Sequence, residues 1–111
     1  MKRLLTILSL VAFAAAASAA PLRVYIRSGV KTHGPNAHDH PHFLATWKPL
    51  LTERGMKVDG AIGWPSAAQL AQTDVVIVDA DEAGDVTPEE KANVDAFTKR
   101  AARRTLRQVE W

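Results

Sequence analysis

Extended and helical segments alternate three times along this chain, and that alternation limits its fold more tightly than any single residue does. Residues 22–27, Leu-Arg-Val-Tyr-Ile-Arg, alternate apolar with basic side chains and read as a strand nearer a sheet edge than its centre. Residues 42–54 carry Phe43, Leu44, Trp47, Leu50 and Leu51 at helical spacing, with Asp39 or His40 placed to cap, Pro41 suited to the first turn and Gly55 to the stop. Trp47, on this stripe, reads as core. Pro49 interrupts the pattern: an interior proline removes a backbone hydrogen bond and clashes one turn back at a cost of ~3 kcal/mol, which predicts a kink or a helix in two pieces. Residues 56–61 read as a short second strand, and residues 66–72 as a short helix entered through Trp64-Pro65 with Ser66 as its cap. The run Asp74-Val75-Val76-Ile77-Val78-Asp79 is β-branched without a break, as expected of a strand covered on both faces. Thr87-Pro88-Glu89-Glu90 has the form of a capping box, and Val94, Phe97 and Ala101 line the inner side of the helix it opens.

Repetition of strand and helix in this order predicts an α/β fold, a parallel sheet of about three strands flanked by helices. Right-handed crossovers bring every loop that follows a strand to one edge of such a sheet, and ligands bind at that edge. Two loops meet there: residues 28–41, which hold three of the four histidines, and residues 79–85, Asp-Ala-Asp-Glu-Ala-Gly-Asp. Any function of the chain is expected where these two loops enclose a shared crevice.

The N-terminus predicts export. Lys2 and Arg3 precede an uncharged run over residues 4–20 that ends in Ala17-Ser18-Ala19, the order of a cleavable secretory signal with its small-residue cleavage site. The run is shorter than the ~20 strongly apolar residues a membrane span needs, so residues 1–19 are read as a signal peptide and the product as periplasmic or secreted, with no membrane attachment after cleavage. Removing residues 1–19 from the 111 leaves 92, enough for one small domain and marginal for burying a core. The chain has no cysteine, which excludes disulfides, lipoprotein attachment and a cysteine nucleophile. The formal net charge of +2 conceals an uneven distribution: residues 20–98 carry seven basic and eleven acidic side chains, a balance of −4, while Lys99, Arg100, Arg103, Arg104 and Arg107 crowd the C-terminus. An acidic body gives no case for nucleic-acid binding, and the basic tail reads as an unstructured, solvated end.

All four histidines fall at positions 33, 38, 40 and 42. Three readings of them stay open. In the first, His33, His38 and His40 with Asp79, which sits at the carboxyl end of the third strand, ligate a divalent metal such as zinc, since neutral imidazole with carboxylate suits an N/O site. In the second, His38, His40 and Asp39 form a metal-free polar or acid–base site; the N-terminus of the following helix would lower imidazole pKa and attract hydroxyl oxygens of a sugar-like ligand. In the third, His42 is an ordinary first-turn residue, Asp39 only caps, and His33 is solvated. Asp79, Asp81, Gly84 and Glu90 match four places of a calcium loop, but a strand enters where a helix should and Glu90 already serves the capping box. Trp64 could stack on a sugar ring, although packing over the sheet edge explains it as well.

The segment His33-Gly34-Pro35-Asn36-Ala37-His38-Asp39-His40-Pro41, followed by Trp47, Leu50-Leu51, Glu53-Arg54-Gly55 and the 74–79 strand, resembles the ThuA-like, trehalose-utilisation family over residues 23–100. What the resemblance implies is a flavodoxin-like domain related in fold to class I glutamine amidotransferases and linked to carbohydrate metabolism; the chain is then read as an enzyme-type domain, with a non-catalytic metal- or sugar-binding module and an inactive truncated remnant as the alternatives. Members of that family are expected to continue past the last helix with glycines and a further apolar strand. Residues 101–111 depart from this, so the domain is read as residues 20–100, followed by a basic tail. Truncation or a frameshift would explain the departure, and translation of the encoding DNA in its other frames tests it; a natural extension of the helix is the alternative.

Overall fold

The computed structural model describes residues 19–81 and 86–109, with side chains of the last helix as far as Arg104. The expected signal peptide and most of the acidic loop after Asp81 lie outside the described residues. Three strands and three helices alternate in order: β1 (Arg23–Ser28), α1 (His40–Glu53), β2 (Lys57–Ile62), α2 (Ala67–Ala71), β3 (Val75–Asp79) and α3 (Pro88–Val109). The strands form one parallel sheet in the order β2-β1-β3, with Val24 opposite both Val58 and Val75. The fold is therefore α/β, an open parallel sheet flanked by helices in a flavodoxin-like arrangement. No described helix is long and apolar enough to cross a membrane.

β1 is the central strand, which corrects the expectation of an edge position. A basic side chain at every second place is compatible with the centre because each arginine has its own neighbour on one face. Arg23 grips Asp74 through Nε at 3.1 Å and Nη2 at 2.9 Å, and the guanidinium of Arg27 lies 5.0 Å from the ring centroid of Trp64. The Arg23 guanidinium, with Arg104 adding a second cation 2.9 Å away, holds the Asp74 carboxyl well below the usual carboxylate range. Val24, Tyr25 and Ile26 of β1 form the core together with Leu70 of α2.

The helices divide between the two faces. α1 packs on β1 and β2, so closely that a Cβ on Gly60 would stand 2.7 Å from Leu44 Cδ1 and 2.8 Å from the Ile26 carbonyl oxygen. α2 lies on the opposite face, where Gln69 reaches Asp59, and opens at the expected cap, Ser66, which the structure shows as a full capping box: Ser66 Oγ accepts from Gln69 N at 3.1 Å and Ser66 N donates to Gln69 Oε1 at 2.8 Å. Opposite faces follow from the chain reversing its direction across the sheet between β2 and β3 while both crossovers keep the same hand.

Four further expectations need correction. α1 is one helix through Pro49 rather than two pieces, with the proline on its exposed side, where water can satisfy the displaced backbone groups. Trp47 is 40% exposed and stands beside Phe43, with ring centroids 5.5 Å apart, rather than in the core. β3 pairs only with β1 among the described residues, and Val78 is 53% exposed, because α1 covers β1 and β2 while α3 seats against α2. The basic C-terminal segment is helical rather than unstructured: α3 continues through Val109 across the expected boundary at residue 100, on a stretch of good helix formers. Arg104, from that segment, reaches back to Asp74 at the start of β3.

Candidate functional site

The two loops that follow β1 and β3 meet at the carboxyl edge of the sheet. In the order β2-β1-β3 this is the point at which the chain, having moved to one side of β1, returns to the other, and such reversals leave a crevice between the departing loops. Gly29 sets how near the loops come. Its N–H donates to the Asp79 carbonyl at 2.8 Å, and a Cβ there would stand 2.9 Å from Ala80 Cβ and 3.3 Å from His40 Cδ2.

Within the histidine loop, Lys31 acts as a staple. Its Nζ donates to the carbonyls of Gly34 and Ala37, each at 3.2 Å, and lies 3.5 Å from Asp39. His38 adopts a positive φ of 47°, a conformation L-residues enter at a cost on the order of 1 kcal/mol. That backbone turn aims its ring at the acidic loop. Asp39 next to it caps α1, its Oδ1 accepting from His42 N at 3.2 Å.

The centre of the cluster is Asp81. Its Oδ1 meets His38 Nδ1 at 2.8 Å, while its Oδ2 accepts from the Thr32 hydroxyl at 2.7 Å and stands 3.3 Å from His40 Nε2 and 3.8 Å from His33 Nδ1. Thr32, donating to Asp81, accepts in turn from His33 Nδ1 at 2.9 Å. The rings of His33 and His38 lie 4.4 Å apart, centroid to centroid. His40 is only 7% exposed and is held from behind, its Nδ1 at 3.0 Å from Asp79 Oδ2. With each Nδ1–H directed at an oxygen, Nε2 is the nitrogen left to accept a proton or a cation on the exposed His33 and His38, whereas that of His40 is buried against Asp81 and is placed to take up a proton.

The electrostatics follow from this packing. The Thr32 hydroxyl, with help from His40 and His38, lowers the Asp81 pKa to about 2, so this carboxylate is ionised across the neutral range. The hydrogen bond to Asp79, reinforced by Asp81, outweighs burial and raises the His40 pKa above the ordinary 6.5. The depression expected from a helix N-terminus is therefore overridden by the two carboxylates that flank the ring.

Four expected site residues thus come together and one does not. His33, His38, His40 and Asp79 all belong to the cluster, Asp79 touching it through His40. Asp39 is committed to the helix cap and to Lys31, and its geometry fits the reading in which it only caps. Trp64 packs on Arg27 and lines the adjoining cavity. Asp81 and Thr32 were not foreseen as site residues; Asp81 had drawn notice only as one place in a calcium-like pattern. The signal that could have found it is its place two residues past the strand end, in the first turn of a loop that follows a parallel strand.

Donor atoms of His33, His38 and Asp81 all lie within 4.8 Å of one another, and all three residues are exposed. Two ligands at about 2.0–2.1 Å on a tetrahedral centre stand roughly 3.3–3.5 Å apart, so exposed side chains need move by little more than ~1 Å to fit such an ion. Two imidazoles and one carboxylate leave a fourth position open, as in zinc sites that meet a substrate. No family model, curated protein or solved structure matches this chain, and the chemistry of the site rests on its own geometry.

Proposed function

We propose that the chain is an exported domain of the ThuA-like type that binds a zinc-like divalent cation at the carboxyl edge of its sheet and uses it to hold a small polyhydroxy, sugar-like compound. The observation that carries the reading is the convergence of His33, His38 and Asp81 at ligand-compatible separation, on loops that the strand order brings together. In this reading Asp81 supplies the anionic ligand, and His33 and His38 supply neutral nitrogens. Asp79 orients His40, which stands behind the ion as a buried proton donor or acceptor. A cation bound there would polarise a coordinated hydroxyl or water.

Titration of purified protein with zinc by calorimetry tests the reading. The expected result is one site, with affinity reduced at least 100-fold in Asp81→Asn and reduced clearly in His38→Asn, a change that removes the imidazole but tolerates positive φ. Equal zinc binding by wild type and Asp81→Asn would overturn it. A second reading, a metal-free acid–base site, is favoured by one observation: His40 has a carboxylate on each side of its ring. It predicts unchanged sugar binding after chelation, whereas the metal reading predicts loss.

A further inference from the structure

Beside the histidine cluster lies a cavity of about 230 Å³, lined by Arg27, Ser28, Gly29, Thr32, Trp64 and Asp81 among others. Asp81 thus belongs to both. The volume is below the roughly 300 Å³ at which drug-sized pockets begin, so an occupant is small. Arg27 at its wall is 7% exposed, yet among the described residues it has no carboxylate partner, and its Nε finds no acceptor. Trp64, whose ring packs on this guanidinium, has an indole Nε1–H that is likewise buried without an acceptor. Glu90 also lines the cavity, but its carboxylate is engaged by the Thr87 N–H at 2.9 Å.

Comparison within β1 sharpens the point. Arg23 and Arg27 project on the same face of one strand. Arg23 is matched to Asp74 by paired hydrogen bonds, whereas Arg27, the more deeply buried, meets the face of an aromatic ring and no carboxylate among the described residues. A buried guanidinium with no counter-ion among the described residues is costly, and an oxyanion suits two adjacent buried donors that find no acceptor there. We infer that the Arg27–Trp64 cavity is a subsite for the oxyanion of a small acidic polyhydroxy compound, a sugar acid or sugar phosphate, whose hydroxyls face the cation held by His33, His38 and Asp81. The subsite assigns a substrate class to the site proposed above and, for the placement of the hydroxyls, rests on that reading.

Titration of the full chain with gluconate, glucose 6-phosphate and glucose, in the presence and absence of zinc, tests the inference. The Nε–Hε signal of Arg27 and the indole signal of Trp64 are followed by nitrogen-15 NMR. At least one of the two anionic sugars is expected to bind tenfold or more tightly than glucose and to shift both signals. Arg27→Gln should abolish this preference while leaving zinc affinity within twofold. Response to gluconate alone identifies a sugar acid, and response to glucose 6-phosphate alone a sugar phosphate. If Arg27→Gln fails to fold, the wild-type signals still decide. Movement of both signals without zinc binding would sustain the subsite and remove the metal reading. Equal affinity for glucose and both anions, or signals unmoved at saturation, would overturn the subsite.

Discussion

Asp81 and Asp39 are both acidic residues beside histidines, yet their carboxylates do different work, and substitution should separate them. Asp39→Ala removes a helix cap and is expected to cost about 0.5–2 kcal/mol in thermal or denaturant unfolding, with zinc affinity unchanged. Asp81→Asn is expected to abolish zinc binding with a smaller loss of stability. The pH dependence has a definite sign as well. Asp81, its pKa lowered from 3.8 to about 2, contributes stability that is present above pH 3.8 and lost as pH falls towards 2. His40, raised above 6.5, contributes stability that is present below pH 6.5 and lost as pH rises through its folded value. The tie between the two loops is therefore strongest between these limits in the metal-free protein, and His40→Gln should flatten the alkaline side of a plot of thermal midpoint against pH. The histidine cluster was legible from residue density alone. Asp81 was not, because it lies just beyond the strand, where side-chain alternation stops and only the loop's course decides which carboxylate faces inward.

At the scale of elements, the approach of the two loops depends on a residue with no side chain. Gly29→Ala places a methyl group 2.9 Å from Ala80 Cβ at the point where β1 and β3 diverge. The expected result is a tenfold or greater loss of zinc affinity with secondary structure retained in circular dichroism, since the sheet below this point keeps its pairing. Element type and order were readable because each segment carries its own local signal: the cap at Ser66, the box at Thr87, the β-branched run of β3, the apolar stripe of α1. Position within the sheet was less readable. Alternating arginines made β1 look like an edge strand, and only the long-range partners Asp74 and Trp64, invisible to local pattern, let it occupy the centre. β3 erred the other way, since a run of valines says that a strand can be buried and not that a neighbour covers it. Pro49 gave a local warning, and its place on an exposed helix face lets the helix continue through it.

Across the whole molecule, a small core of Val24, Tyr25, Ile26 and Leu70 supports a three-stranded sheet whose β3 edge is unpaired among the described residues. Such an edge invites association between chains. Val78→Lys is expected to raise the concentration at which the protein stays monomeric in light scattering, without lowering its thermal midpoint by more than a few degrees, because Val78 is already largely exposed. A cooperative thermal transition in circular dichroism is expected for the wild type, since α1 packs on the sheet, Leu70 of α2 joins its core and α3 seats against α2.

The central claim is that the imidazoles of His33 and His38 converge with Asp81 on one point, and nitrogen-15 NMR of the histidine rings during zinc addition tests it most directly. The ring signals of His33 and His38 should move together and saturate at one equivalent, while His42, on the outer side of α1, stays unchanged. Movement of His42 in step with the others, or no saturable movement of His33 and His38, would contradict the account.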